Sequence, residues 1–169
     1  MRTRFILFNC LVSLFLYANL YGAEKFEIDA SHSSIGFSVR HMAISNAKGK
    51  FNDFSGIFTL DDENISNSSA DVTIKTSSVD TDNERRDNHL RGEDFFNAEK
   101  YPEITFKSTS FEKDGNEYKV RGNFTMHGVT KEITIPLTLL GKIKDQRGNT
   151  RVGMEGNLRI NRQDFNISY

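Results

Sequence analysis

The sequence predicts an all-β protein with one short helix, an antiparallel β-barrel of about eight strands. Three features predict it: period-two alternation of apolar and polar residues along most of the chain after Glu24, turn residues at short intervals between those runs, and glycines on the apolar faces of strands. A chain of 169 residues fits a single domain. Its 37% hydrophobic and 27% charged content is that of a folded globular protein. Fourteen phenylalanines and no tryptophan concentrate the apolar content in one flat ring type. A net charge of −1 removes the electrostatic case for a nucleic-acid partner, which needs a clustered basic face.

Residues 1–23 differ from the rest. Arg2 and Arg4 precede an apolar run from Phe5 to Leu20, and the small residues Gly22-Ala23 follow. This is the layout of a secretory signal peptide, which places residues 24–169 outside the cytoplasm, periplasmic or secreted. An uncleaved anchor fits less well, because Asn9, Ser13 and Asn19 interrupt the run. After cleavage the protein is not expected to be integral to the membrane. The only cysteine, Cys10, lies inside this segment without the small residues of a lipoprotein signal before it. The mature chain therefore has no disulfide and depends on core burial. Losing Arg2 and Arg4 leaves 20 basic against 23 acidic residues, a charge of −3.

The elements follow in order. Phe26 and Ile28 alternate with charged neighbours in a first short strand; Ile35, Phe37, Val39 and His41 share one face of the next. Ala47, Gly49 and Phe51 are in phase, then the phase slips at Asn52-Asp53 before Phe54, Gly56, Phe58 and Leu60, which predicts a bulge or sharp bend. Asp61 to Asn64 is a turn, followed by Ala70, Val72, Ile74 and Thr76 on one face. From Thr81 to Gly92 the pattern breaks: Thr81 or Asp82 can cap a helix and Gly92 can end it, so a short polar helix crosses one end of the sheet, pinned by Phe95-Phe96. Pro102 opens a strand with Ile104 and Phe106, and Asp114-Gly115-Asn116 is a hairpin turn before Tyr118, Val120, Gly122, Phe124 and Met126. His127-Gly128 turns into Ile133, Ile135, Leu137 and Leu139; Gln146 to Asn149 turns into Val152, Met154, Gly156, Leu158 and Ile160. The result is a meandering antiparallel sheet.

Alternation alone does not separate a barrel from a two-sheet sandwich. Gly56, Gly122 and Gly156, each between large apolar residues on the same face, either free interior volume or let the sheet bend; both favour closure. The implied interior is lined by Ile35, Phe37, Val39, Phe51, Phe54, Phe58, Ile104, Phe106, Phe124, Met126 and Ile135. Such a lining suits an alkyl or isoprenoid tail, each buried methylene contributing roughly 0.8 kcal/mol. The same residues would also make a plain core with no ligand.

The ordered set Ile28-Asp29, His32-Ser33, His41-Met42, Ser78-Val79-Asp80-Thr81, Arg86-Asp87-Asn88-His89-Leu90, Tyr101-Pro102-Glu103-Ile104-Thr105-Phe106, Gly128-Val129-Thr130-Lys131 and Arg162-Gln163-Asp164-Phe165 resembles the YceI-like family from about Phe26 to Tyr169. The resemblance implies a lipocalin-like barrel, periplasmic or secreted, holding a polyisoprenoid, an isoprenoid quinone or a fatty-acid-like lipid. It also implies no established chemistry. Two departures stand out. The family usually has glycine where Asn166 stands, and its members generally continue past Tyr169 with a closing strand; a sequence truncated before that strand would leave an open seam.

Four histidines lack metal-site spacing, and no Gly-x-Ser-x-Gly elbow is present. No catalytic residue, metal or cofactor is therefore expected. Arg86, Asp87 and His89 are weighed between tying the helix to the barrel rim and holding a polar head group at its mouth. His41, on an apolar face, is either a satisfied core histidine or a further head-group contact. The expected role is binding, transport or storage of a long-chain amphiphile outside the cytoplasm; the expected partner is an apolar or amphiphilic small molecule, and a homodimer through edge strands is compatible with it. The alternatives are an extracytoplasmic hydrolase or isomerase acting on an amphiphile in the same pocket, and a ligand-free structural protein.

Overall fold

Period-two alternation becomes hairpins almost everywhere the sequence predicts them. The computed structural model describes residues 22–41 and 45–169, so the signal segment expected at residues 1–23 lies almost wholly outside the described residues. The strands are β1 (Glu24–Glu27), β2 (Ile35–His41), β3 (Ser45–Phe51), β4 (Phe54–Leu60), β5 (Ser69–Lys75), β6 (Val79–Asp80), β7 (Glu103–Asp114), β8 (Glu117–Met126), β9 (Val129–Lys144) and β10 (Thr150–Gly156), with one helix, α1 (Glu84–Arg91). Seven strands form one antiparallel sheet in the order β1-β4-β5-β7-β8-β9-β10, and three form a second in the order β2-β3-β6. Together they make a nearly closed, antiparallel, barrel-like sheet.

The count exceeds the expected eight by two, one from the two-residue β6 and one from a split between β3 and β4. The slip at Asn52-Asp53 is not a bulge within one strand but the corner where the chain changes sheets, from β3 to β4. The corner's backbone is satisfied across the gap: Asn52 N–H donates to Ser78 O at 3.1 Å, and Lys75 N–H donates to Asp53 O at 2.9 Å. The predicted run through Ile160 is also shorter than expected, since β10 ends at Gly156.

The helix caps correctly but one residue late. Asn83, rather than Thr81 or Asp82, accepts from Arg86 N–H at 3.0 Å, while Asp82 sits in the left-handed region at φ 58°. Gly92 ends the helix, its N–H donating to His89 O at 3.1 Å. The turn between Met126 and Val129 has φ 51° at His127 and 74° at Gly128, the pair of positive angles that a two-residue hairpin of matching twist requires. A bulge at Thr109 shifts the β7–β8 register, and the neighbouring Ser108 Oγ takes the N–H of Ala70 at 2.8 Å in place of a ladder bond.

Two apolar clusters fill the interior. Near α1 lie Phe51, Phe54, Ile74, Val79, Ile104, Met126, Phe165 and Ile167; toward the opposite end lie Leu60, Ala70, Phe106, Phe111, Tyr118 and Val120. The sheet glycines sit beneath side chains from neighbouring strands. A Cβ added to Gly122 would lie 2.5 Å from Lys107 O and 2.7 Å from the Phe106 ring, and one on Gly156 2.5 Å from Leu137 Cδ2. These glycines therefore do not leave ligand space; they admit rings and branches that let the sheet curve.

Gly122→Val is expected to reduce unfolding free energy by about 1–3 kcal/mol in urea titration, because the backbone carbonyl of Lys107 cannot step aside. Gly141→Val, where an added Cβ meets nothing within 4 Å, serves as the control and should leave the midpoint nearly unchanged. Equal stability of the two variants would contradict the tight packing described.

Candidate ligand-binding interior

Ten of the eleven residues expected on the lining belong to, or pack against, the two clusters. Phe51, Phe54, Ile104 and Met126 are buried in the cluster near α1, with Ile35 and Phe37 against it. Phe106 is buried in the second, with Phe58 and Ile135 against it. Phe124 touches both, as does Val72, so the apolar interior runs from one end of the barrel to the other. Val39 is the exception at 44% exposed. β3 pairs with β6 only at Lys50 and Phe51, so by Val39 the ribbon is two strands wide, and none of the described residues covers that face.

The sequence pattern missed how the α1 end is closed. Phe165 and Ile167, from the segment after β10, are 2% and 3% exposed and stand within the cluster near α1. Phe165 meets Phe124 edge-on at 5.5 Å between ring centroids. In the same cluster Phe51 meets Phe37 at 5.6 Å and Phe96 at 5.7 Å. No periodicity announces Phe165 and Ile167, because they belong to a 3-10 turn (Arg162–Phe165) and the residues after it. Asn166 has φ 60°, which accounts for the expected family glycine: asparagine is among the few side-chain-bearing residues that tolerate the left-handed region.

Of the head-group candidates, Asp87 and Arg86 are engaged by the protein itself. Asp87, 6% exposed, accepts from Thr81 N–H at 2.9 Å and from the Thr81 hydroxyl at 2.5 Å. Arg86 Nε donates to the Thr81 hydroxyl oxygen and Nη2 to the Thr81 carbonyl, both at 2.7 Å. Arg91, which the pattern did not single out, adds donors to Ser77 O at 2.8 Å and Val79 O at 2.9 Å. These contacts moor α1 to the end of β6. His89 lies on the exposed side, edge-on to Phe95 at 5.0 Å and Tyr169 at 5.1 Å, with Nε2 3.4 Å from Asp94. The side chain of His41 lies outside the described residues.

Asn83, Arg85, Arg86 and His89 border a depression of about 400 Å³ on the outside of α1, open to solvent. A second of about 320 Å³ lies between the unpaired edges of the large sheet, bordered by Glu24, Lys25, Phe26, Asn149 and Thr150. Ion pairs span that seam: Lys142 to Glu24 at 2.6 Å and Arg151 to Asp29 at 3.3 Å. Hydrogen bonds donated to Glu24 and then to Asp62 raise the pKa of the Lys142 ammonium above its ordinary value. Hydrogen bonds from Ser31 and His32 hold the Asp29 carboxyl well below the usual carboxylate range. Among the described residues no group of three or more His, Cys, Asp or Glu is placed to hold a metal, and no helix is long and apolar enough to cross a membrane.

Comparison with known proteins adds to this geometry. A family model described as a YceI-like domain matches residues 26–169. A UPF0312 protein of Photorhabdus laumondii is 44% identical over 143 residues, covering 85% of this chain and 74% of that protein. The crystal structure of a Campylobacter jejuni YceI protein superposes with a TM-score of 0.69 at 40% identity, covering 82% of each chain. A polyisoprenoid-binding domain from Saccharophagus degradans shares the fold, with a TM-score of 0.54 at 19% identity over 70% of this chain and 68% of that one.

Asp87→Ala strands the buried N–H and hydroxyl of Thr81, so it should cost about 1–3 kcal/mol and lower the melting temperature by circular dichroism. Asp87→Asn keeps an acceptor oxygen and should lose clearly less. A melting temperature unmoved by Asp87→Ala would remove the mooring role.

Proposed function

This chain belongs to the YceI-like family, and from that premise we propose that it binds a long-chain amphiphile within the barrel, outside the cytoplasm. The carrying observation is the continuity of the apolar interior: Val72 and Phe124 join the two clusters, so a linear tail would meet aromatic and aliphatic surface along its whole length. A domain of the same fold is described as polyisoprenoid-binding, which supports an isoprenoid tail as the class to test first. Removal of such a tail from water supplies the driving force, at roughly 0.8 kcal/mol per methylene. The role is capture and carriage rather than turnover, in keeping with Arg86 and Asp87 being committed to Thr81. The signal-like segment at residues 1–23 supports export to the periplasm or beyond.

Room for the tail must come from side chains that rotate. The space over Gly122 is taken by the Phe106 ring and that over Gly56 by Ile28 and Val72, so binding would displace rings rather than fill a void. The test is native mass spectrometry of the protein purified from its own extracytoplasmic compartment. An apolar species should co-purify in stoichiometric amount and be lost from Phe124→Asp. Repeated spectra of the bare chain would overturn the proposal.

A further inference from the structure

The β9–β10 hairpin runs beyond the last ladder pair that β9 makes with β8. β8 pairs with β9 only as far as Thr138, and Leu139 N–H makes the last bond to that side, to Asn116 O at 2.8 Å. Past that point Leu140–Lys144 has only β10 beside it. Leu140 is the extra residue where the register shifts at Gly153/Met154, and Gly141 and Ile143 pair with Gly153 and Arg151. Lys142 and Val152 pair toward the interior, where Lys142 lies over the Phe26 ring, so Ile143 faces outward. Leu140 and Ile143 are 65% and 66% exposed, more than any other large hydrophobic residue named among the described residues.

The hairpin's charge is as uneven as its polarity. Residues 140–151 carry Lys142, Lys144, Arg147 and Arg151 against the single acid Asp145, in a chain whose net charge is −1. Asp145 is consumed within the turn, accepting from the N–H groups of Arg147 and Asn149 and from Arg151 Nε. Lys142 is held by Glu24 and Asp62, and Arg151 also by Asp29. Lys144 and Arg147 are left with no carboxylate partner among the described residues. On the adjoining β4–β5 loop, Asp61 is engaged by the N–H groups of Glu63 and Asn64 and by Asn67, and Asp62 by Lys142 and Lys113, so among the described residues Glu63 is that loop's one acid without such a partner.

We propose that this hairpin docks the protein on an anionic phospholipid bilayer, Leu140 and Ile143 entering the boundary between head groups and acyl chains while Lys144 and Arg147 meet lipid phosphates. Two aliphatic side chains on a narrow ribbon are too small a patch for a stable protein interface, but with adjacent cations they suit reversible interfacial anchoring. The inference rests on the container reading above: a water-insoluble tail has to be collected from, and delivered to, a membrane.

Co-sedimentation with vesicles tests it, comparing mixed phosphatidylethanolamine–phosphatidylglycerol with pure phosphatidylcholine. The wild-type chain should pellet with the anionic vesicles and be released as salt is raised. The double variant Leu140→Ser/Ile143→Ser should bind about tenfold more weakly, and Lys144→Gln/Arg147→Gln should lose the preference for anionic lipid. Both pairs are exposed, so unchanged melting temperatures serve as the folding control. Wild type and Leu140→Ser/Ile143→Ser pelleting equally, or neither pelleting, overturns the docking site. Concentration-dependent dimerisation abolished by the same variant, without vesicle binding, overturns it in favour of a second copy. Native spectra of the same preparations keep the two readings apart: lipid retained without pelleting sinks the docking alone, and pelleting without retained lipid sinks the container alone.

Discussion

The structure depends on large side chains lying directly on bare backbone of the neighbouring strand. Phe37 covers Gly49, Phe106 covers Gly122, Leu137 covers Gly156, and Ile28 with Val72 covers Gly56. A Cβ at any of these glycines would come within 2.4–2.7 Å of a side-chain atom of the residue that covers it. Each contact lets the sheet bend inward without a collision, and each returns dispersion energy that glycine alone would forfeit. Curvature gathered this way brings the two ends of a seven-stranded sheet together, so that Arg151 of β10 reaches Asp29 just after β1, and Lys142 of β9 reaches Glu24 of β1.

The strands and hairpins were legible in the sequence because their cause is local. Alternation and turn chemistry are written residue by residue, as at Gly115-Asn116 and His127-Gly128, and there expectation and structure coincide. What escaped is what depends on partners distant in sequence. Val39 alternates as well as Phe37 does, yet only Phe37 finds a layer above it. The phase slip at Asn52-Asp53 reads as a bulge or bend until the partners of β3 and β4 prove to belong to different sheets. Glycine volume was ambiguous for the same reason, since the rings that occupy it come from other strands. Phe165 and Ile167 showed no alternation that would place them in the core, although Phe165 belongs to the Arg162–Phe165 motif and Asn161 and Asn166 are residue types that cap and turn a 3-10 segment.

The two ends of the barrel are built differently, and the difference bears on function. The α1 end is dense with specific contacts: Thr81, Asp87, Arg86 and Arg91 moor the helix, Phe95 and Phe96 pack beneath it, and Phe165 and Ile167 fill what remains. The opposite end is bounded by hairpin turns and held at the seam by half-exposed ion pairs of Lys142 and Arg151. Pairs of that kind contribute little to stability and can open without unfolding the sheet. If one end yields to an entering tail, it is the turn end.

That asymmetry also orients the molecule. A tail entering at the turn end would first meet Phe26, Leu139 and Val152, which pack on the second cluster, and then Phe106 and Phe124 toward the first. The far end of the β9–β10 hairpin, with Leu140 and Ile143 outside and Lys142 inside, belongs to the same end, so the proposed membrane contact and the ion-paired seam are contiguous in β9. A carrier whose entrance faced away from its lipid source would have to expose the whole tail to water during transfer, at roughly 0.8 kcal/mol for every methylene. Were the tail bound and the hairpin docked as proposed, placing both features on one strand would remove that cost, because the tail would pass from acyl chains to phenylalanine rings without an aqueous interval.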